Sequence, residues 1–169
     1  MKIDLKKLNA SPHASIPFDE TIDLTDEKLY GAKPFQSPVH IKGVVSNESG
    51  VVRLAGSIET IYSTECARCL KPLEIPLSAE ADMMLSDDPE AEEEDDLFVL
   101  TSDSVDPADV LVPALILQVQ MTYLCKEDCK GLCPHCGADR NVTDCDCDKK
   151  QIDPRFAALR ALLDSDKGE

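Results

Sequence analysis

The chain has 169 residues, of which 43% are hydrophobic and 30% charged, so it is long enough and apolar enough to fold as a globular domain. That length excludes a miniature scaffold held together only by disulfides. The formal net charge of −16 argues against generic nucleic-acid binding, because affinity for phosphate groups comes mostly from Lys and Arg.

The N-terminal residues and the longest apolar stretch together predict a cytoplasmic protein. Residues 1–8 place a charge at every second or third position and contain no apolar run of signal-peptide length. Residues 110–121 are about half as long as the roughly 20 residues of a membrane span, and they include Pro113. Ordinary disulfides are unstable in a reducing compartment, so the eight cysteines call for another explanation, of which metal binding is the first.

The first two-thirds of the chain predict an antiparallel β-sheet or partial barrel. Apolar and β-branched residues recur in short runs, and Asn47 to Gly50 form a turn-rich break between two of them. Pro76 indicates an edge strand or a bulge. In chain order, we expect strands within residues 3–8, 15–24, 39–45, 51–62 and 73–81.

An acidic segment follows this sheet. Residues 82–110 hold 12 acidic and no basic side chains, and so carry most of the net charge of the protein. Its centre, residues 86–96, has too little apolar surface to offset chain entropy, which predicts a loop. The simplest role of such a loop is to aid solubility, and the alternative is that it attracts a basic partner by long-range electrostatics.

Two helices are expected beyond that loop. After a short strand at 97–100, Asp106 and Pro107 supply an N-cap and a first helical residue, and the apolar body over 110–121 predicts a helix buried against the sheet. Asp153 and Pro154 repeat the start signal before a short C-terminal helix, whose apolar face holds Phe156, Leu159, Leu162 and Leu163. The fold class is therefore α+β, with residues 1–124 as the core and 125–169 as a cysteine-rich segment within one cooperative domain.

The spacing of the cysteines predicts two structural zinc ions. Zinc takes four thiolates in a tetrahedron, and two ligands separated by two residues fit one tight turn of a zinc ribbon or knuckle. In C-P-H-C-G at 133–137, Pro134 fixes one dihedral angle and Gly137 permits a positive φ. The eight expected ligands are Cys66, Cys69, Cys125, Cys129, Cys133, Cys136, Cys145 and Cys147.

Two groupings of these thiols are open. The preferred one makes a local site from the last four cysteines and joins Cys66 and Cys69 to Cys125 and Cys129, so that the metal clamps the sheet to the C-terminal segment. The rival one groups the four cysteines at 125–136 and leaves Cys66 and Cys69 to meet Cys145 and Cys147. Four thiolates can also bind iron.

A closed shell of four thiolates leaves no position for water or substrate, so we expect no enzyme. A dithiol redox switch is less favoured, because neither C-x-x-C pair begins a helix after a strand. His135 is interpreted as a solvated side chain, and Arg68 as an offset to the thiolate charge.

The cysteine motifs resemble those of one bacterial family. The motifs are C-x-R-C-L at 66–70, C-x3-C-K-G-L-C-P-x-C-G-x3-N-x3-C-x-C at 125–147 and D-P-R-F-A-A-L at 153–159. Their order, with an acidic loop and a helix between the first two, is similar to the YceD family of large ribosomal RNA subunit accumulation proteins. This resemblance implies a non-enzymatic cytoplasmic factor that supports accumulation or processing of large-subunit ribosomal RNA.

The leading hypothesis is a ribosome-biogenesis accessory protein whose acidic segment meets a basic ribosomal protein or a precursor particle. Direct RNA binding by the cysteine-rich tail is an alternative, but seven acidic residues accompany its basic ones and stacking aromatics are nearly absent. Zinc storage or delivery is a further alternative, and it would need exchangeable sites. No membrane or small-molecule partner is expected.

Overall fold

The protein is described by a computed structural model over residues 2–9, 11–88 and 96–147. Within these ranges the chain forms seven strands and two helices. In chain order they are β1 (Ile3–Asp4), α1 (Lys6–Asn9), β2 (Ser15–Ile22), β3 (Val39–Glu48), β4 (Val51–Glu65), β5 (Pro72–Ser86), β6 (Leu97–Val99), β7 (Ser104–Val105) and α2 (Pro107–Leu117).

The main sheet has five strands in the order β2-β3-β4-β5-β6. Its first four strands are antiparallel neighbours, and β4 and β5 pair along their whole length from Val52 opposite Leu85 to Glu65 opposite Pro72. The α+β class is confirmed. The expectation of a purely antiparallel sheet is wrong, because β6 runs parallel to the end of β5, with Met84 opposite Leu97.

The parallel pairing of β6 with β5 is short and lies beside the acidic segment. Ten residues separate Ser86 from Leu97, so β6 does not follow β5 through a two-residue hairpin turn. Backbone hydrogen bonds from Met84 N to Asp96 O and from Leu100 N to Ser86 O, both 2.7 Å, close the two ends of this short pairing.

The core lies between the sheet and α2. Alternate residues of β4 are buried because successive side chains of a strand point to opposite faces, and Leu54 and Ile58 have no exposed surface. From α2, Leu111 and Leu115 are equally buried and close the core. The predicted burial of this helix against the sheet is confirmed.

Several element boundaries differ from the sequence predictions. β3 and β5 extend to Glu48 and Ser86, beyond the predicted ends at 45 and 81. Only Ile3 and Asp4 of the candidate strand 3–8 are extended, because the Asp4 carboxylate accepts the Lys6 N–H at 2.9 Å and starts α1. Helix α2 ends at Leu117 rather than at 121, since its last turn tightens and the Gln120 N–H donates to the Tyr123 hydroxyl at 3.0 Å. The predicted C-terminal helix at 153–163 and the centre of the acidic loop, 89–95, lie outside the described residues.

Pro76 confirms the prediction of an edge. It pairs with Ile61 of β4 on one side, while β6 covers only Met84 to Ser86 on the other side of β5. Over the residues that the structure describes, no helix combines the length and apolar character needed to cross a bilayer.

Candidate metal centres

The turn between β4 and β5 presents the first pair of cysteines. Cys66 N donates to Lys71 O at 2.8 Å, and Leu70 N donates to Cys66 O at 2.9 Å, which closes a tight loop at the end of the hairpin. Leu70 has a positive φ of 58° in this loop. The Sγ atoms of Cys66 and Cys69 consequently point to the same side of the turn, where the C-terminal segment arrives.

The connector after α2 brings the second pair to this turn. Ala67 N donates to Tyr123 O at 2.9 Å, and the rings of Tyr123 and Tyr62 lie 5.5 Å apart. The chain then reaches Cys125 and Cys129, the latter through a turn in which Cys129 N donates to Lys126 O at 3.1 Å. A strand hairpin and a segment some 60 residues later thus supply one set of thiols.

These four thiols form cluster 1, and their geometry fits a tetrahedral metal ion. Ligands at a metal–sulfur distance of about 2.3 Å lie about 3.8 Å from one another on a tetrahedron. Cys66 Sγ and Cys129 Sγ are 3.8 Å apart, and Cys69 Sγ and Cys125 Sγ are 3.6 Å apart. All four sulfurs lie within 4.8 Å of one another. Cluster 1 consists of Cys66, Cys69, Cys125 and Cys129.

Cluster 2 is local in sequence. In the turn at 133–137, Gly137 N donates to Cys133 O at 2.9 Å and Cys133 N donates to Ala138 O at 2.8 Å. Its sulfurs also lie within 4.8 Å of one another, so this donor set can hold a metal ion as well. Cluster 2 consists of Cys133, Cys136, Cys145 and Cys147. The structure therefore forms the preferred of the two groupings and not its rival.

The two clusters differ in exposure. In cluster 1, Cys66 has no exposed surface and Cys129 only 2%. In cluster 2, Cys136 is exposed, and Cys145 and Cys147 are half-buried. A metal ion in cluster 1 would be shielded from solvent on most sides, whereas an ion in cluster 2 would lie near the surface.

The thiols of cluster 1 ionise unequally. Burial opposes ionisation of Cys66, but backbone N–H groups of Cys125, Arg68 and Cys69 point at its sulfur and lower its pKa to about 6. Burial raises the pKa of Cys125 to about 12, and the neighbouring sulfurs of Cys129 and Cys69 add to that rise. Four thiolates this close repel one another, so their joint ionisation needs a cation among them.

Cluster 2 repeats this pattern. Backbone N–H groups of Cys136 and His135 lower the pKa of Cys133 to about 6. The neighbouring sulfur of Cys136 raises the pKa of Cys147 to about 12, and burial acts in the same direction. In each cluster a thiol with a lowered pKa is already largely a thiolate near neutral pH, whereas a bound metal would have to deprotonate Cys125 or Cys147.

Two residues around cluster 1 have roles that the sequence did not reveal. The Arg68 guanidinium donates from Nη1 to Cys129 O at 2.8 Å, so it ties the hairpin turn to the C-terminal segment, beyond the charge offset expected of it. Gly131 has a φ of 72°, and a Cβ there would lie 2.9 Å from Arg68 O. The close approach of Gly131 lets Leu132 N donate to Arg68 O at 3.0 Å. No sequence spacing predicts these contacts, because they join segments more than 60 residues apart.

The fold and the two clusters define a class: an acidic β-sheet protein with a cysteine-rich segment folded against the tip of its longest hairpin. The family model "Large ribosomal RNA subunit accumulation protein YceD" matches residues 54–163, which is more than half of the chain. The chain belongs to the YceD family, as the resemblance predicted.

The relatives are bacterial and plant proteins. The chain is 30% identical over 169 residues to the protein YlbN of Bacillus subtilis, with 98% of each chain covered. It is 26% identical over 155 residues to a Zea mays protein named large ribosomal RNA subunit accumulation protein YCED homolog 1, chloroplastic, covering 72% of this chain and 52% of the relative. An Arabidopsis thaliana protein of the same name is 23% identical over 159 residues, with 76% and 50% covered.

The chain therefore spans nearly all of the Bacillus protein and about half the length of the plant relatives. No solved structure matches the chain.

Proposed function

We propose that this chain is a non-enzymatic accessory protein that supports accumulation of large-subunit ribosomal RNA, with two zinc ions as structural fasteners. The observation that carries the proposal is membership of a family whose plant members are named for that role. Both four-thiol clusters fit a closed shell, which leaves no open coordination position for catalysis.

The zinc ions would supply stability and no reaction step. Cluster 1 would hold the cysteine segment on the β4–β5 turn, where Arg68 and Leu132 already connect the two by hydrogen bonds. An ion in cluster 2 would hold together the two ends of the loop between Cys136 and Cys145. In cluster 1, the burial of Cys66 and Cys129 favours a permanent ion over an exchangeable one, and this counts against zinc storage or delivery by that cluster.

Recognition would fall to the acidic surface. Residues 82–110 carry no basic side chain, and Asp87, Asp88 and Asp96 at the edges of the acidic segment are exposed. A field of one sign raises the encounter rate with a partner of opposite charge. The partner that fits is a basic ribosomal protein, free or on a precursor particle in the cytoplasm. Direct RNA binding is less supported, since seven acidic residues accompany the basic ones within residues 126–160, and one of the basic ones, Lys126, lies 3.7 Å from Asp128.

The charge hypothesis is tested by a matched pair of variants in cells that lack the chromosomal copy. One variant neutralises four charges of the acidic segment as E90Q/E92Q/E93Q/E94Q. The control removes four exposed charges elsewhere, as D19N/E27Q/E48Q/E59Q. We expect only the first to lower the ratio of large-subunit to small-subunit ribosomal RNA and to lose a basic ribosomal protein from low-salt pull-downs.

Other outcomes would contradict specific parts of the proposal. Equal effects of the two variants would refute recognition by the acidic segment. A strain without the protein but with an unchanged ratio of the two ribosomal RNAs would refute the role in RNA accumulation. Recovery of naked RNA alone, without ribosomal protein or precursor particle, would favour direct RNA binding instead. The zinc part is checked by metal analysis of the purified protein, where we expect two ions for each chain.

A further inference from the structure

Asn141 lies in the loop of cluster 2 and contacts a ligand of cluster 1. It falls between Cys136 and Cys145, yet its Nδ2 donates to Cys129 Sγ at 3.4 Å. Its Oδ1 accepts the Lys130 N–H at 2.9 Å, one residue after that ligand. One amide side chain therefore touches both the sulfur and the backbone of the turn that presents Cys129.

The orientation of this amide is fixed by all of its polar atoms. The second N–H of Nδ2 donates to Asp139 Oδ1 at 2.7 Å, and the same carboxylate oxygen accepts the Asn141 backbone N–H at 2.9 Å. A flipped amide would place its oxygen against Cys129 Sγ and Asp139 Oδ1, and its NH₂ group against the Lys130 N–H. The arrangement is therefore satisfied in one orientation only.

The loop that carries Asn141 is held at both ends by cluster 2. Its backbone also lies against the segment between the clusters, through Arg140 N donating to Gly131 O at 3.0 Å and a β-bridge between Leu132 and Asp139. A metal ion bound to cluster 2 would fix the ends of this loop. Fixing its ends removes conformations in which Asn141 is away from Cys129.

Groups that hydrogen-bond a ligand orient it and tune its donor strength. An N–H directed at a thiolate stabilises its negative charge, and this favours the form that binds metal. Lys130 is one residue from Cys129, so holding its backbone N–H also fixes the turn that aims the sulfur. The contact of Asn141 with Cys129 Sγ and its contact with the Lys130 N–H form in the same conformation of the loop.

We propose that Asn141 is a positioning residue that couples the two clusters, so that a metal ion in cluster 2 tightens metal binding by cluster 1, and the reverse. The reciprocity is thermodynamic: if one ion raises the affinity for the other, the second raises that for the first by the same factor. This inference rests on the proposed metal occupancy and goes beyond it, because two closed sites need not interact.

The test measures zinc affinity cluster by cluster in the full chain. Zinc is titrated against a competing chelator while NMR follows the amide signals of Ala67 and Leu70 for cluster 1, and those of Gly137 and Ala138 for cluster 2. The proteins compared are the wild type, N141D, N141A, C145S/C147S, and N141A combined with C145S/C147S. V142A is the matched control, because Val142 is the next residue of the loop and its side chain is 82% exposed.

The two Asn141 variants separate the role of the N–H···S contact from that of the turn. Asn141→Asp keeps an oxygen for the Lys130 N–H but puts a second oxygen in place of the NH₂ group beside Cys129 Sγ. We expect N141D and N141A to weaken zinc binding by cluster 1 about 10-fold to 100-fold, the range for a lost partner of a ligand. V142A should stay within about twofold of the wild type, inside the spread of neutral changes.

The coupling itself is read from the combined variant. Disabling cluster 2 with C145S/C147S should weaken cluster 1 by a similar factor, and N141A should then add less than about twofold, because the two changes remove the same interaction. In the cobalt(II)-substituted protein, N141D should also shift the sulfur-to-metal charge-transfer band of cluster 1. A merely structural role would leave that band unmoved.

Three results would overturn the proposal, and they are distinguishable. If C145S/C147S leaves the affinity of cluster 1 unchanged, the clusters are independent. If N141D matches the wild type in affinity and in the cobalt spectrum, the N–H···S contact does not tune the site. If the wild-type chain binds no zinc at either cluster, the metal part of the proposed function fails and this coupling fails with it.

Discussion

Leu70 and Gly137 occupy the same position in two cysteine turns, and both have a left-handed backbone, with φ of 58° and 74°. Each follows the second cysteine of a C-x-x-C pair and donates its N–H to the carbonyl of the first, Leu70 to Cys66 O and Gly137 to Cys133 O, at 2.9 Å in both turns. Glycine adopts this conformation at no steric cost, whereas a leucine there is strained. Left-handed strain at Leu70 therefore destabilises the turn of cluster 1, whereas Gly137 introduces no such strain in the turn of cluster 2.

Replacing Leu70 by glycine and replacing Gly137 by leucine should change the free energy of unfolding in opposite directions. Leu70→Gly should raise the free energy of unfolding by about 0.5 to 1 kcal/mol, because relief of left-handed strain exceeds the entropy that glycine adds to the unfolded chain. Gly137→Leu should lower it by about 1 to 2 kcal/mol. Urea unfolding of the zinc-loaded protein measures both. The control is Leu70→Ala, which removes the half-exposed side chain but keeps the strain; equal stability of the glycine and alanine variants would show that the strain is not what costs stability.

Gly131 should be more sensitive to substitution than Gly137. Their φ values are nearly the same, 72° and 74°, but a Cβ at Gly131 would lie 2.9 Å from Arg68 O, while one at Gly137 meets nothing within 4 Å. Gly131→Ala should therefore cost about 1 to 3 kcal/mol more than Gly137→Ala, the range for overpacking. It should also separate the cysteine segment from the β4–β5 turn, which is seen as loss of protection of the Leu132 amide in hydrogen exchange.

Gly137→Ala is the matched control for that comparison, since it has the same backbone cost without the close contact. Equal destabilisation by the two alanine variants would contradict the close approach between Gly131 and Arg68.

Zinc binding should strengthen as pH rises. In the folded geometry without metal, Cys125 and Cys147 keep their protons at neutral pH, because their pKa values are raised to about 12, while Cys66 and Cys133, with pKa values lowered to about 6, are largely ionised. Where the metal-free segment unfolds, its thiols are mostly protonated at pH 7, since an ordinary cysteine has a pKa of about 8.5, so zinc then displaces more protons. Each zinc ion must then displace protons, and acidification through pH 6 adds one more competing proton at each cluster, on Cys66 and on Cys133. Calorimetry at pH 7 in two buffers of different protonation enthalpy should show at least about one proton released for each ion.

Zinc binding without proton release at pH 7 would contradict the raised pKa values of Cys125 and Cys147. A plot of log affinity against pH whose slope does not steepen between pH 7 and pH 5 would contradict the lowered values of Cys66 and Cys133. The affinity for zinc must rise with pH, because only the thiolate form of cysteine binds the metal.

Removing the metal should unfold the cysteine segment and leave the sheet folded. The main core, which includes Leu54, Ile58 and Leu111, contains no cysteine, and the apolar cluster around Cys66 and Cys129 is separate from it. Structural zinc contributes about 10 to 16 kcal/mol in small peptides, far more than that second apolar cluster can supply. With excess chelator, amides of residues 125–147 should exchange rapidly while those of β3 and β4 stay protected. Loss of protection in both regions would show that sheet and segment unfold together.

The sequence predicted most of the elements because their signals are local. Asp106 does cap α2, its carboxylate accepting the Ala108 N–H at 3.1 Å, and the strands of the long hairpins have the expected alternation of buried and exposed residues. The grouping of the cysteines was among the two predicted, since the short spacing from Cys133 to Cys147 favours a local set.

The sequence could not predict contacts between segments that are far apart along the chain. The parallel pairing of β6 depends on where Leu97 returns to β5, and the contacts of Arg68 with Cys129 and of Asn141 with the same residue depend on how two loops meet. In the sequence Asn141 is one residue of the motif at 125–147, and no contact is predicted for it. An asparagine is common in loops for local reasons, so nothing in its type or position indicates a partner 12 residues away.

Strand β5 sets the distance between the turn of cluster 1 and the start of the acidic segment. It runs from Pro72, just after the turn of cluster 1, to Ser86, where the acidic segment starts, and at about 3.3 Å for each residue its path is about 45 Å long. That exceeds the screening length of about 8 Å at physiological salt several times over, so a basic molecule held at the acidic end would feel almost none of the charge of the thiolates.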